Sequence, residues 1–178
     1  MQRNNLIISV DRYDYTDFMR RNSESAAVSL LSYVTMLIVH HIIEPFQTVA
    51  DPGQQSLSVD CPSDLTISHD SRWTSEALFN ILDNAVKYTS AGGSIQVRVR
   101  DWEMYLRIDV TDTGRGIPEY SQGTIFKRFY RDEAVHDIDG VGIGLYLARE
   151  IITMQGGYIT VESKVGEEST FSVFLPIK

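Results

Sequence analysis

The sequence predicts an α+β fold: a two-layer α/β sandwich in which one mixed, mainly antiparallel sheet carries its helices on one face. Three observations predict it. Segments that alternate apolar and polar residues come in neighbouring groups, around 95–110 and 158–176, as antiparallel strands with one buried face do. Two segments with helical apolar spacing, 71–88 and 144–155, are inserted between the strands. Glycine-rich turns punctuate the boundaries, at Ala91-Gly92-Gly93 and Gly156-Gly157.

Taken in order, residues 1–25 are polar and broken up, and Arg20-Arg21-Asn22-Ser23-Glu24-Ser25 reads as a linker. A helix is expected over 26–46, ending near Pro45. Its uncharged stretch Ala26 to Ile43 has polar residues at Ser29, Ser32, Thr35, His40 and His41. Their spacing draws a polar stripe, which favours a heavily buried soluble helix over a membrane span. Asp51-Pro52-Gly53 is a turn, Ser56–Asp60 alternates as a half-buried strand, and Leu65-Thr66-Ile67 reads as another short one. Asp70 or Ser71 caps a helix that runs to about Tyr88. Ile95, Val97 and Val99, then Leu106, Ile108 and Val110, form an antiparallel pair. A second helix, Gly144 to Gln155, stops at Gly156-Gly157 and is followed by strands at Tyr158–Glu162 and Thr170–Pro176.

Composition bounds the function. The 178 residues fit one domain with an extension, and 43% apolar with 22% charged residues is ordinary for a globular chain. A formal charge of −8 argues against a non-specific nucleic-acid binder. A polyanionic ligand would therefore have to be held locally, by backbone amides, a metal ion or a few placed cations. Cys61, the single cysteine, forms no internal disulfide and belongs to no zinc motif, which fits a reducing compartment. The opening MQRNNLIISVDRYD has too short an apolar stretch for a secretory leader.

The first helix between strands has two faces. Ala77, Leu78, Ile81, Leu82 and Ala85 recur at core spacing, while Asn80, Asn84, Lys87 and Tyr88 share another stripe. Asparagine is a poor helix former, so the stripe is either an ordinary solvated face or a site. Asp112-Thr113-Gly114-Arg115-Gly116-Ile117 follows a strand directly and reads either as a turn or as a loop built for close backbone approach. Gly140-Val141-Gly142-Ile143-Gly144-Leu145 opens the second helix, where bare amides and the helix dipole favour phosphate. It has neither the Walker spacing nor that of a dinucleotide fingerprint. Between the glycine segments, Ile125-Phe126-Lys127-Arg128-Phe129-Tyr130-Arg131 is an apolar patch in a long polar loop. It reads as a pin for a mobile lid or as a satellite cluster with surface cations.

In this order the motifs resemble the ATP-binding catalytic domain of sensor histidine kinases, within the gyrase, Hsp90, histidine kinase and MutL ATPase superfamily. Asn80–Thr89 looks like its N box, Asp112–Gly116 its first glycine box, and Phe126–Arg131 its F box. Gly140–Leu145 looks like its second glycine box, and Gln155–Ser163 matches its closing strand. The resemblance covers roughly Ser56 to Ile177 and implies the two-layer ATP-binding fold of that superfamily. It implies that Asp112 accepts the adenine amino group, with Gly114, Gly116 and Ile117 around the base and Tyr88 flanking it. Asn84, helped by Asn80, would hold Mg²⁺, and Lys87 would meet a phosphate. Gly142, Ile143, Gly144 and Leu145 would bring amides and packing to the nucleotide, and Arg131 would be the lid cation on the γ-phosphate. Positioning and charge neutralisation are most of what phosphoryl transfer needs.

Two departures stand out. The family's last glycine box reads Gly-x-Gly-Thr; here Gly166-Glu167-Glu168-Ser169-Thr170 reaches Thr170, the residue expected at the site, one position late and without the second glycine. No phosphoacceptor motif of His, an acidic residue and Arg-x-Pro occurs, and His40, His41, His69 and His136 lack its context. Asn5–Arg12 resembles the end of the dimerisation hairpin, so residues 1–25 are expected to be its remnant and linker, and 26–178 the catalytic domain. The implied partners are that hairpin, which would carry the acceptor histidine, and a response regulator receiver domain. The full protein would be a homodimer and this piece a monomer, on the cytoplasmic side of a sensor that can be membrane-bound. Against a gyrase- or MutL-type hydrolysing clamp, the position of its general-base glutamate holds Asn80. The remaining alternative is a nucleotide-binding regulatory module with degenerate catalysis.

Overall fold

The computed structural model describes residues 55–61, 67, 69–132 and 141–177. The expected helix over 26–46, the linker before it, His40, His41, His136 and Gly140 lie outside these residues. In chain order the elements are β1 (Ser56–Asp60), α1 (Ser71–Tyr88), β2 (Ser94–Trp102) and β3 (Tyr105–Asp112). A short α2 (Glu119–Gln122), then α3 (Gly144–Met154), β4 (Tyr158–Lys164) and β5 (Glu168–Pro176) complete them.

The five strands form one sheet in the order β1-β2-β3-β5-β4. β1 runs parallel to β2, and all other pairings are antiparallel, giving the mixed sheet the sequence predicts. The register lines up the core positions on one face: Val97 opposite Val110, Val110 opposite Phe171, and Phe171 opposite Val161. α1 and α3 pack on that face and on each other, closing a core of Leu78, Ile81, Leu82, Ile108, Ile151, Ile152 and Val173. Ile67 is buried in the core outside any strand, and Leu65 and Thr66 of the short strand expected there lie outside the described residues.

Local signals set the helix ends. Asp70 is the N-cap of α1, and its carboxylate accepts from the Trp73 N–H at 3.1 Å. At the end of α3, Gly156 takes φ +80°; its N–H bonds Thr153 O at 2.9 Å and that of Gly157 bonds Ile152 O at 3.0 Å. This is a Schellman stop, as the Gly156-Gly157 pair suggests. The sheet's outer face holds a residue that alternation alone would leave in solvent. Asp109 is buried there, bonded by Arg107 Nε at 2.7 Å and Ser172 Oγ at 2.6 Å.

Candidate functional site

A cleft of about 400 Å³ opens between α1, α3, the loop after β3 and the start of β5. Its size is that of a small-molecule site. Of the residues expected there, Asn80, Asn84, Lys87, Tyr88, Asp112, Gly116, Ile117, Arg131, Gly142, Ile143, Gly144 and Leu145 all line it. The polar stripe of α1 thus forms one wall of this cleft.

At one end stands Asp112, the last residue of β3. It is buried, and the Gly114 N–H donates to its Oδ1 at 2.9 Å. Burial pushes this carboxyl up to about 6; the Gly114 hydrogen bond pulls it down and the charge of Glu168 adds to the rise. Gly116 brings the loop hard against the β4–β5 turn, with φ +69° and room for no side chain: a Cβ would stand 2.1 Å from Lys164 O.

At the other end α1 offers amides. Asn80 Nδ2 donates to Glu76 O at 2.8 Å and Asn84 Nδ2 to Asn80 O at 2.9 Å. Each amide nitrogen is tied back to its own helix, and Oδ1 is left as the atom to face a ligand. Two neutral hard oxygens one turn apart suit a divalent cation that completes its shell with phosphate and water. Among the described residues no group of three or more His, Cys, Asp or Glu could hold a metal, so such a cation would rely on these amides. One turn further on, Lys87 Nζ pairs with Asp83 Oδ2 at 2.5 Å, both half in solvent at the cleft wall.

α3 points its N-terminus into the cleft. Its N-cap, Ile143, has no side chain that can accept, and Leu147 N is bonded to Ile143 O. The amides ahead of Leu147 therefore have no partner within the helix and stand at the positive end of its dipole. The segment carrying Arg131 is anchored beside it. Phe126 is buried against Phe171, the Phe129 N–H bonds Gly142 O at 2.8 Å, and Tyr130 OH bonds the buried Ser121 at 3.1 Å. The apolar patch in the loop is thus a pin, and residues 133–140 beyond it are outside those described.

Two expected residues do not face the cleft. Gly114 lies behind it, where its N–H orients Asp112. Thr170 lies on the opposite face of the sheet, bonded to Thr111 at 3.0 Å. The register places Ser169 opposite Asp112, and Ser169 lines the cleft. Counted to Ser169, the last glycine box has its ordinary length, with Glu168 where the second glycine would be. Spacing was the signal for Ser169, and the strand's alternation makes it exclusive of Thr170. Asp83 and Tyr130 also line the cleft without having been assigned a ligand role.

The profile of the family described as "Histidine kinase-, DNA gyrase B-, and HSP90-like ATPase" matches residues 69–178. The chain belongs to this family. The chain is 38% identical over 138 residues to the adaptive-response sensory kinase SasA of Synechococcus sp. (strain JA-3-3Ab), covering 76% of this chain and 37% of that protein. It is 30% identical over 169 residues to the circadian input-output histidine kinase CikA of Synechococcus elongatus (strain ATCC 33912 / PCC 7942 / FACHB-805), covering 92% of this chain and 22% of that protein. The chain thus spans about a third or less of these relatives. Among solved structures, the mycobacterial sensor histidine kinase MprB superposes with a TM-score of 0.71 at 24% identity, over 83% of this chain and 97% of that one. The catalytic domain of histidine kinase ThkA gives 0.69 at 24% identity, over 83% and 96%. These likenesses establish the fold as that of histidine kinase catalytic domains. Among the described residues no helix is long and apolar enough to cross a membrane.

Proposed function

We propose that this chain is the catalytic domain of a two-component sensor histidine kinase that binds ATP with Mg²⁺ in the cleft. In this reading it transfers the γ-phosphoryl group to a histidine on a helical hairpin, for relay to a response regulator receiver domain. The observation that carries the proposal is the pair of tied-back amides, Asn80 and Asn84, facing the same cleft as the buried carboxylate of Asp112. One end suits a base with an exocyclic amine and the other a metal–phosphate cluster.

Asp112 accepts from the adenine amino group with the oxygen that Gly114 leaves free, and Ile117 and Tyr88 supply the apolar walls. Asn84 Oδ1 and Asn80 Oδ1 would hold the divalent cation, which would supply charge neutralisation to the phosphates. Lys87, the amides opening α3 and Arg131 take up the remaining negative charge. As the imidazole nitrogen of the acceptor attacks, the bond from the γ-phosphorus to ADP breaks, and these groups hold donor and leaving group in line. The full protein dimerises through the hairpin and this chain alone is a monomer, working on the cytoplasmic side of its sensor.

Calorimetric titration with ATP, with and without Mg²⁺, tests the reading. Binding should be lost in Asp112→Asn, and its dependence on Mg²⁺ lost in Asn84→Ala. A folded wild-type chain that binds no ATP would overturn it.

A further inference from the structure

Asp112 on β3, Ser169 on β5 and Ser163 on β4 stand in one row across the sheet, on the face that carries the helices. The first two line the cleft, and Ser163 lies one strand behind them. Its hydroxyl accepts from the Ile117 N–H at 2.8 Å, donates to Glu168 O at 2.7 Å and bonds Ser169 Oγ at 3.1 Å. Gln122 holds the other polar group of the same residue: its Nε2 donates to Ile117 O at 3.0 Å and to Ser163 O at 2.9 Å.

Ile117 sits in an irregular stretch between β3 and α2, outside any ladder. Its N–H is held by the Ser163 hydroxyl and its carbonyl by the Gln122 amide, so both polar groups of this wall residue are fixed by side chains from outside the cleft. We propose that Ser163, assisted by Gln122, is a positioning residue for the purine end of the nucleotide site. It clamps the loop after Asp112 to the first residues of β5 and so sets where Ile117 and Ser169 stand. The proposal rests on the ATP reading of the cleft. Ser163 touches no nucleotide itself.

A hydroxyl that merely closed a turn would change stability and leave recognition alone. A positioning hydroxyl changes recognition of the base and leaves the phosphate end as it was. The test titrates the whole chain with ATP and with inosine triphosphate, which lacks the exocyclic amine, following the amide NMR shifts of the cleft. Melting temperature is read in parallel for wild type, Ser163→Ala, Ser163→Thr and Gln122→Ala. Loss of one ordinary hydrogen bond corresponds to about a tenfold change. Ser163→Ala should weaken ATP by about that factor and inosine triphosphate much less, narrowing their ratio. Ser163→Thr, which keeps the hydroxyl, should restore the ratio, and Gln122→Ala should narrow it in the same sense. Should Ser163→Ala not fold, the threonine and Gln122 variants decide. A lowered melting temperature with an unchanged ratio, or an equal loss for both ligands, would overturn the positioning role alone. Failure of the wild-type chain to bind ATP would overturn the site reading and this proposal with it.

Discussion

Gly144 and Asn80 meet across the cleft at contact distance: a Cβ on Gly144 would stand 2.9 Å from Asn80 Oδ1. The opening residue of α3 and the amide of α1 therefore share one space, and any methyl placed there must push the amide aside. Gly144→Ala should separate stability from binding. Gly144 is the first residue of α3, where alanine suits the helix at least as well as glycine, so the melting temperature should hold. An Asn80 side chain forced off its rotamer costs about 0.5–1.5 kcal/mol, so ATP affinity in the presence of Mg²⁺ should fall by up to about tenfold. Thermal melts beside calorimetric titration check both halves.

Asp112→Asn should lose ATP and gain stability. The folded carboxyl titrates at about 6 against an ordinary 3.8, so between those values the folded chain holds a proton that the unfolded chain has released. Stability contributed by the neutral form is thus lost as pH rises through this window, and the full penalty stands above it. At 1.36 kcal/mol per unit the penalty is on the order of 3 kcal/mol. Asparagine keeps an oxygen for the Gly114 N–H and carries no charge. The nucleotide-free variant should melt above wild type at pH 8, with the difference shrinking towards pH 4.

Glu168→Gln tests the same carboxyl without touching it. The Glu168 charge is one cause of the raised value, so its removal should move the Asp112 titration down. Wild-type affinity for ATP should fall as pH drops through about 6. The variant should hold its affinity to lower pH. ATP's own ionisation is common to both titrations, so the difference between the two midpoints reports the protein.

Lys87→Met separates the ion pair from the ligand role. The pair with Asp83 is half in solvent, and such i,i+4 pairs are worth about 0.3–0.5 kcal/mol. The melting temperature should barely move. ATP affinity should fall clearly while that for AMP changes little, which titration with both nucleotides reads directly.

Much of this architecture was legible because local chemistry and tertiary use agree. Asp70 caps α1 where a cap was expected, and Gly156 ends α3 where the glycine pair stood. The Asn80, Asn84, Lys87, Tyr88 stripe of α1 was legible as a second face, open between a solvated surface and a site, and the structure sets it along the cleft. What was hidden depended on pairing. A strand alternates alike in parallel and antiparallel ladders, so the direction of β1 beside β2 could not be read from Ser56–Asp60. Ser169 and Thr170 both carry hydroxyls, and only the register with Asp112 decides which one faces the cleft. The burial of Asp109 is likewise a product of pairing, since Ser172, one of its two partners, comes from the neighbouring β5.

The parallel pairing of β1 has a kinetic side. Tyr105 meets Trp102 across a tight hairpin, whereas Ser56 meets Ser94 only after the chain has passed through the whole of α1. Closing the longer loop costs more entropy, so β1 should join a sheet whose β2–β3 hairpin already exists. Among the described residues β1 pairs with one strand, so its amides should exchange with solvent ahead of those of β3 and β5 at the sheet's centre. Just before β1, Gln55 Nε2 bonds the carbonyls of Val86, at 3.0 Å, and Thr89. Opening of β1 should therefore also loosen the last turn of α1, where Lys87 and Tyr88 line the cleft.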